Sequence, residues 1–292
     1  MTEKTLDESI LKSWIGKSES TVDVIDARQA RLLQATLNRE PSLQDGDPLP
    51  PLWHWIYFLV PSRLNDLGRD GHPRLGGFIP PVDLPRRMWA GGRFEFSAPL
   101  RFGETITKSS SIQNVTLKQG RSGTLCFVTL KHEFTGEDGG PRHREEQDIV
   151  YREDPAPGSA RPEAPAPPDD GKWSYTVEPS AVMLFRYSAL TFNGHRIHYD
   201  RDYCRDVEGY PGLVFHGPLT ATLLADFAAR QIPNRTIAKF TFRAVGPLFD
   251  DMPFVIRGKS ADPDGHELDL WAETPMGRLA MTASATFSLE PG

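Results

Sequence analysis

Hydrophobic and polar residues alternate with a period of two in two separate regions of the chain. The first region runs from Gly92 to about Tyr151, and the second from Phe240 to about Leu289. A period of two places alternate side chains on opposite faces of a strand, so both regions predict antiparallel strands joined by short turns. Residues 219–230 are apolar with almost no charge until the end, which predicts a buried helix.

The two strand regions contain a short repeat. The run FEFSA at 94–98 resembles FTFRA at 240–244, and the same order of strands and turns follows each run. A Pro- and Ala-rich segment at 154–172 separates the two regions and is typical of an extended linker. We therefore expect an N-terminal unit at 1–153 and a C-terminal unit at 173–292.

Each half begins with a helical region that is followed by antiparallel strands. Short helices are predicted at Asp7–Trp14 and from an Asp26 cap to about Leu37. The central helix of the first half is less clear, and we place it near Trp53–Leu67. A long helix wrapped by an antiparallel sheet is the hotdog arrangement. The sequence thus predicts an α+β protein with a double hotdog, in which two antiparallel sheets each wrap a central helix.

The stretch 67–92 is rich in glycine and proline and contains RRMWAGG. We expect a long ordered loop or an interrupted helix there, and long loops inside domains often contact ligands.

Composition and charge exclude several classes of protein. The net charge is -6 and the basic residues are scattered, so the chain has no nucleic-acid footprint. The two cysteines, Cys126 and Cys204, form no CxxC pair, which favours a reducing compartment over a disulfide framework. The polar N-terminus has no signal-peptide core, and the apolar run at 53–60 is too short to span a membrane. We expect a cytoplasmic protein that binds neither nucleic acid nor membrane.

Two polar clusters in the second half are candidates for chemistry. Asn193 and His198 lie five residues apart across a Gly-His-Arg turn, so both side chains can reach one water. His198 can accept a proton near neutral pH, and Asn193 can orient the water. Gly217 begins the buried helix, where free N–H groups favour a developing oxyanion. Together they suit addition of water to an α,β-unsaturated carbonyl compound, or the reverse reaction.

Other interpretations of these residues remain open. A histidine in a turn is often a capping or surface residue. A metal site could use His195, His198, Asp200 and His216, but their spacing matches no common zinc pattern, and we expect no metal. Cys204 is a poor candidate nucleophile, because no base is paired with it in the sequence.

The segment YSALTFNGHRIHYD at 187–200 resembles the signature of the R-specific enoyl-CoA hydratases, the MaoC-like branch of the hotdog proteins. When the two are aligned on His198, the catalytic His of that family falls on His198 and its catalytic Asp falls on Asn193. The later run PGLVFHG resembles the segment whose glycine, here Gly217, supplies the oxyanion-hole N–H. The resemblance implies coenzyme A contacts at the residues just before it, Val214, Phe215 and His216. Asn replaces the expected Asp, and His-Arg replaces Asn-Pro at 195–196.

With PRRMWAGG at 85–92, the chain resembles a narrower group that contains mitochondrial type-2 hydroxyacyl-thioester dehydratases and bacterial mesaconyl-CoA and itaconyl-CoA hydratases. This resemblance implies an acyl-CoA hydratase for a short, branched dicarboxylic enoyl-CoA. Itaconyl-CoA to citramalyl-CoA is the first choice and mesaconyl-CoA the second. Further substrate or coenzyme A contacts are expected from Arg86, Arg87, Trp89 and Arg196. No cofactor is expected, because coenzyme A belongs to the substrate, and we expect a homodimer.

Three other functions remain open at this point. One is a 3-hydroxyacyl-thioester dehydratase of fatty-acid metabolism, and another is an acyl-CoA-binding hotdog protein without activity. A hotdog thioesterase is the third, but such enzymes usually place a carboxylate beside the thioester, and Asn193 is uncharged. A dicarboxylic substrate would need a cationic partner in an otherwise apolar pocket. The candidate cations are Arg86, Arg87, Arg93 and Arg196, with the first two slightly favoured.

Overall fold

A computed structural model describes residues 6–120, 123–154 and 163–288. The strands are β1 (Ser18–Val24), β2 (Arg86–Phe96), β3 (Thr105–Gly120), β4 (Gly123–Gly136), β5 (Pro141–Arg152), β6 (Trp173–Val177), β7 (Ile237–Ala244), β8 (Phe254–Ser260), β9 (Glu267–Glu273) and β10 (Leu279–Phe287). The α-helices are α1 (Glu8–Lys12), α2 (Ala27–Thr36), α3 (Ala181–Leu190) and α4 (Gly217–Gln231). All ten strands belong to one antiparallel sheet, in the order β1-β3-β4-β5-β2-β7-β10-β9-β8-β6.

The two halves of the sheet have the same internal order. β1-β3-β4-β5-β2 in the first half corresponds to β6-β8-β9-β10-β7 in the second, and β2 pairs with β7 at the junction. The repeat seen in the sequence lies on these two central strands, where Phe94 is directly opposite Phe240. Duplicated strand order around one junction confirms the double hotdog.

Helix α4 is the central helix of the second half. It contacts β7, β8, β9 and β10, and its residues from Leu219 to Ala228 are all buried. Asp226 is the one carboxylate in that stretch, and it accepts a hydrogen bond from the Trp53 indole at 3.1 Å, which ties α4 to the first half. Among the described residues, no helix combines the length and apolar character needed to cross a membrane.

The first half differs from the sequence prediction. Where we placed a central helix, the structure has two short 3₁₀ turns, Trp53–Ile56 and Leu64–Asp66. Leu52 and Phe58 flank the first turn with φ angles of 68° and 56°, which a right-handed helix does not permit. In the described residues the double hotdog is therefore one continuous sheet with two equivalent halves, and the long central helix is present in the second half.

The stretch RRMWAGG also differs from the prediction of a loop. It forms the start of β2 and pairs with β5, with Arg87 opposite Tyr151. The register shifts between Trp89 and Gly91, as expected of a β-bulge that absorbs one residue. The loop that precedes it crosses to the second half of the molecule and reaches the candidate site.

Expression of residues 1–162 and 163–292 as separate chains should give inactive products. Separation would leave β2 and β7 as unpaired edges, which promote aggregation. Size-exclusion chromatography and assay of the hydratase activity expected from the resemblance would test this, with co-expression of both fragments as the control that restores the sheet. An active, monodisperse second half alone would contradict the prediction.

Candidate active site

Asn193 lies in the turn that follows α3. Its backbone N–H donates to the Ser188 carbonyl at 2.8 Å, and its side-chain oxygen accepts from the His195 N–H at 3.0 Å. Since only the amide oxygen can accept that bond, the side-chain NH₂ is left as a donor. Asn193 can therefore orient a water by donating to its oxygen.

His198 is 6% exposed and is held in one tautomer. Its Nδ1 lies 2.7 Å from the Val214 carbonyl oxygen, which can only accept, so Nδ1 carries the proton. The Val214 N–H donates in turn to the Ile197 carbonyl at 2.9 Å. This bond joins the segment that precedes α4 to the turn that carries His198. Burial lowers the pKa of His198 to about 4. Near neutral pH its Nε2 therefore carries a lone pair that can accept a proton.

The start of α4 lies beside this imidazole. The ring of His216, the N-cap residue of α4, stacks on the His198 ring at a centroid distance of 3.6 Å. Its Nε2 is 2.9 Å from the Ser188 hydroxyl, which fixes the ring. A Cβ atom at Gly217 would meet no heavy atom within 4 Å, so there is open space next to the first residue of the helix. A thioester oxygen in that space could receive the free N–H groups and the positive end of the helix dipole.

The histidine row, which we define as His72, His195, His198 and His216, extends from this stack to the first half of the chain. Successive ring centroids are 4.2, 5.4 and 3.6 Å apart. Burial lowers the pKa of each of the four imidazoles, so the row is uncharged near neutral pH. The far end is held by Asp70, whose carboxylate is 2.9 Å from His72 Nδ1.

Asp70 and His72 are site residues that the sequence analysis did not identify. They come from the Asp-Gly-His-Pro turn of the Gly- and Pro-rich loop. The sequence could have indicated them, because two ionisable residues lie close together in a loop that was expected to contact ligands. Two backbone contacts seat the turn. The Arg196 N–H donates to the Asp70 carbonyl at 2.8 Å, and a Cβ at Gly71, where φ is +89°, would lie 1.9 Å from the Gly194 carbonyl oxygen. Only glycine fits this approach of the two halves.

The residues that could hold a metal differ from the set considered in the sequence analysis. His198 is bonded to Val214, His216 to Ser188, and Asp200 to Arg196. Within the described part of the chain, the convergent group is Asp70, His72 and His195, whose donor atoms lie within 4.8 Å of one another. The expectation of no metal stays a prediction.

Two adjoining cavities lie beside the histidine row. The larger has a volume of about 410 Å³ and is bounded by the loop 68–75 and by Arg87 and Tyr151. A smaller cavity of about 30 Å³ is lined by His195 and Ile197. Asp70, Pro85 and Arg87 line both, so the open space extends from the first half towards the turn that carries His195 and His198.

The structure argues against two of the expected substrate ligands. The Arg86 side chain is 4% exposed, and its Nε lies 2.9 Å from Asp154 and 3.2 Å from Glu208. Arg196 pairs with Asp200 at 2.7 Å and packs over a tyrosine ring. Both guanidinium groups already have carboxylate partners, although one terminal nitrogen of Arg86 has no hydrogen-bond partner among the described residues. Because their charges are already balanced, they are weaker candidates than an unpaired arginine.

Two of the residues expected to contact the substrate or coenzyme A have aromatic rings that pack in or against the hydrophobic core. Trp89 donates its indole N–H to the Gly91 carbonyl at 2.9 Å and packs against other aromatic rings. Phe215 is 3% exposed and packs edge-on against Phe254 at 5.1 Å. Their contact with coenzyme A, like that of Val214 and His216, stays a prediction.

Cys204 is confirmed as a poor nucleophile by its surroundings. It is fully buried, and its Sγ donates to the Ile197 carbonyl at 3.0 Å. Burial raises the pKa of the thiol to about 11, so the thiolate is scarce near neutral pH.

The geometry suits one type of reaction. A neutral imidazole can take a proton from water, an amide can orient that water, and a helix start can accept negative charge on a carbonyl oxygen. On a double hotdog, this combination suits a hydro-lyase, which adds water to a double bond beside a carbonyl group or removes it.

Comparisons with known proteins place the chain within that class. The model of the family hydroxyacyl-thioester dehydratase type 2 matches residues 52–250, and the chain belongs to this family. It is 47% identical over 278 residues to mesaconyl-C(4)-CoA hydratase of Chloroflexus aurantiacus, covering 93% of this chain and 96% of the relative. It is 28% identical over 235 residues to mitochondrial hydroxyacyl-thioester dehydratase type 2 of Schizosaccharomyces pombe, covering 71% and 77%.

The fold has solved counterparts. A MaoC-like dehydratase from Phytophthora capsici superposes with a TM-score of 0.72 at 13% identity, covering 97% of this chain and 98% of that one. The relatives support an enoyl-CoA hydratase of the hydroxyacyl-thioester dehydratase type 2 family.

Replacing His198 by Ala should lower kcat by roughly 10²- to 10⁴-fold, because general-base catalysis is lost. Steady-state kinetics of the purified variant would measure this, with circular dichroism to verify folding. His266→Ala, in the turn before β9, is the matched control and should keep near-normal turnover. A folded His198→Ala variant with wild-type turnover would exclude His198 as the base.

The pH profile should reflect the lowered pKa of His198. The base is active when neutral, so the acid limb of kcat/KM for the uncharged acyl substrate crotonyl-CoA should lie near pH 4. An ordinary histidine would place it near about 6.5. The imidazoles of the histidine row have lower pKa values in the folded protein than in the unfolded chain, so the folded protein binds fewer protons. The free energy of unfolding therefore falls as the pH drops below about 6.5. Circular dichroism at each pH separates the two effects, and a limb at pH 6.5 in folded protein would contradict the assignment.

Proposed function

We propose that this protein hydrates a short, branched dicarboxylic enoyl-CoA to citramalyl-CoA, with mesaconyl-C(4)-CoA as the preferred substrate. The observation that carries the proposal is the His198 imidazole, held neutral and in one tautomer beside the start of α4. The choice of acyl group is supported by the similarity to the mesaconyl-C(4)-CoA hydratase of Chloroflexus aurantiacus.

The chemistry of the double bond favours mesaconyl-C(4)-CoA over itaconyl-CoA, the first choice from the sequence. In mesaconyl-C(4)-CoA the double bond is conjugated with the thioester, so attack of water pushes electrons onto the thioester oxygen. In the itaconyl isomer with its thioester on the far carboxyl, the double bond is one carbon further away. A site that stabilises a thioester enolate can then act only after isomerisation. Itaconyl-CoA is therefore the second candidate.

The reaction begins with proton transfer from water. Asn193 donates to the water oxygen, and His198 Nε2 takes one proton while the hydroxyl group adds to the β-carbon. The electrons of the double bond move to the thioester oxygen, where the N–H groups at the start of α4, including that of Gly217, stabilise the enolate. The imidazolium then returns its proton to the α-carbon, and the carbonyl re-forms. The imidazole ends as it began, so no further base and no redox partner is needed.

A 3-hydroxyacyl-thioester dehydratase is the alternative, because the Schizosaccharomyces pombe relative carries that name and one site can catalyse both directions. The homodimer and the cytoplasmic location expected from the sequence stay predictions.

A panel of thioesters would test the proposed substrate. The purified protein should have a kcat/KM for mesaconyl-C(4)-CoA at least tenfold above that for crotonyl-CoA, with itaconyl-CoA between them or slower. The His198→Ala variant is the negative control for contaminating activity. A preference for long-chain 3-hydroxyacyl thioesters would contradict the proposal and favour the dehydratase.

A further inference from the structure

Arg87 is a half-buried cation that has no partner among the residues the structure describes. In the described part of the chain, its guanidinium makes no ion pair or hydrogen bond, although it lines both cavities. Removing such a group from water without a partner costs free energy, and the cost is recovered when an anion binds. An unpaired arginine beside an open cavity thus indicates an anionic ligand.

Tyr151 supplies a second unpartnered polar group in the same cavity. It lies directly opposite Arg87 in the pairing of β2 with β5, and it lines the larger cavity. The residue is 1% exposed, and its hydroxyl has no hydrogen-bond partner among the described residues. A phenol O–H and a guanidinium on neighbouring strands can donate together to one carboxylate.

Most other arginines near the site already have carboxylate partners; Arg74, which lines only the larger cavity, donates to the Leu67 carbonyl at 3.2 Å. Arg86 forms ion pairs with Asp154 and Glu208, and these two carboxylates balance its charge. One of its terminal nitrogens has no hydrogen-bond partner among the described residues. Three further arginines have carboxylate partners: Arg69 pairs with Asp154, Arg93 with Glu146 and Asp148, and Arg196 with Asp200. The free charge on the wall shared by the two cavities therefore belongs to Arg87.

The position of Arg87 matches the geometry of the proposed substrate. Its positive charge is close enough to His72 and His195 to contribute, after burial, to lowering the pKa of each imidazole. His195 lies in turn beside His198 in the histidine row. In mesaconyl-C(4)-CoA the free carboxylate is attached to the carbon that the water attacks, so it must lie next to the catalytic turn. The coenzyme A phosphates are held away from that carbon by the long pantetheine arm.

Of the described residues that line the larger cavity, Asp70 alone carries a carboxylate. It is bonded to His72 through Nδ1 at 2.9 Å, so part of its charge is directed to the ring. Three arginines line the same cavity, Arg69, Arg74 and Arg87, and they leave the surface attractive to an anion.

We propose that Arg87 and Tyr151 form the subsite that binds the free carboxylate of the substrate and so select a dicarboxylic acyl group. This inference rests on the proposed function and assigns its specificity to two residues. The same donors could in principle bind a coenzyme A phosphate, and the experiment separates these two sources.

The test uses two thioesters that differ at one group. Citramalyl-CoA carries a carboxylate where 3-hydroxy-3-methylbutyryl-CoA carries a methyl group, and dehydration of both is followed spectroscopically. Arg87→Met should lower kcat/KM for citramalyl-CoA by roughly 30-fold or more, the usual effect of removing one partner of a buried charge pair. It should change the methyl analogue by less than about threefold. Tyr151→Phe should give a smaller selective loss, roughly tenfold, as for a hydrogen bond to a charged group.

Two further variants serve as controls. Arg87→Lys keeps the charge and should recover part of the selectivity. Arg93→Met removes an arginine from the same strand that already has carboxylate partners, and it should leave the ratio of the two substrates unchanged.

The outcomes are distinct. Equal losses on both thioesters in Arg87→Met, with weaker inhibition by free coenzyme A, would overturn the carboxylate assignment in favour of a phosphate. Unchanged selectivity, or selectivity lost only in Arg86→Met, would also overturn it. If the wild-type protein does not act on citramalyl-CoA at all, the proposed function itself fails.

Discussion

The hydrogen bond from His198 Nδ1 to the Val214 carbonyl is the contact on which the site depends. It uses one ring nitrogen as a donor, and so leaves the other as an acceptor in the neutral ring. The bond also joins the turn after α3 to the segment that leads into α4, where His216 stacks on the same imidazole. One contact thus sets the protonation site of the His198 imidazole and its position beside the start of the helix. Burial keeps the ring neutral, since a charged imidazole would lack water around it.

The two halves contribute different parts of the site. The second half carries Asn193, His198 and Gly217 within one turn and one helix start. The first half has no long central helix in its described residues, and its crossing loop brings Asp70 and His72 to the row of rings. Because β2 pairs with β7, the strand that carries Arg87 belongs to the same sheet as the second half. The rigid sheet and the close approach of Gly71 to Gly194 hold the two parts in register.

Much of this arrangement could be predicted from local sequence. The period of two located the end of β2 and the strands β3–β5 and β7–β10, but not the edge strands β1 and β6. The apolar run located α4, and Asp26 capped α2 as expected, accepting from the Arg28 N–H at 2.7 Å. The spacing of Asn193 and His198 pointed to one turn because both residues are close along the chain. Local patterns could not place the start of β2, since its glycines and the preceding Pro85 favour a loop until β5 supplies a partner. Asp70 and Tyr151 meet the site through contacts between residues far apart in sequence, which no local pattern encodes.

The tautomer of His198 is the property that tests this account most directly. Nitrogen NMR of protein labelled with ¹⁵N-histidine, with the His198 signals assigned by comparison with His198→Gln, reports the charge of the ring and the location of its proton. At pH 7 we expect a neutral imidazole protonated at Nδ1, with an unprotonated Nε2. An imidazolium, or a ring protonated at Nε2, would contradict the assignment of His198 as the group that accepts the proton from water.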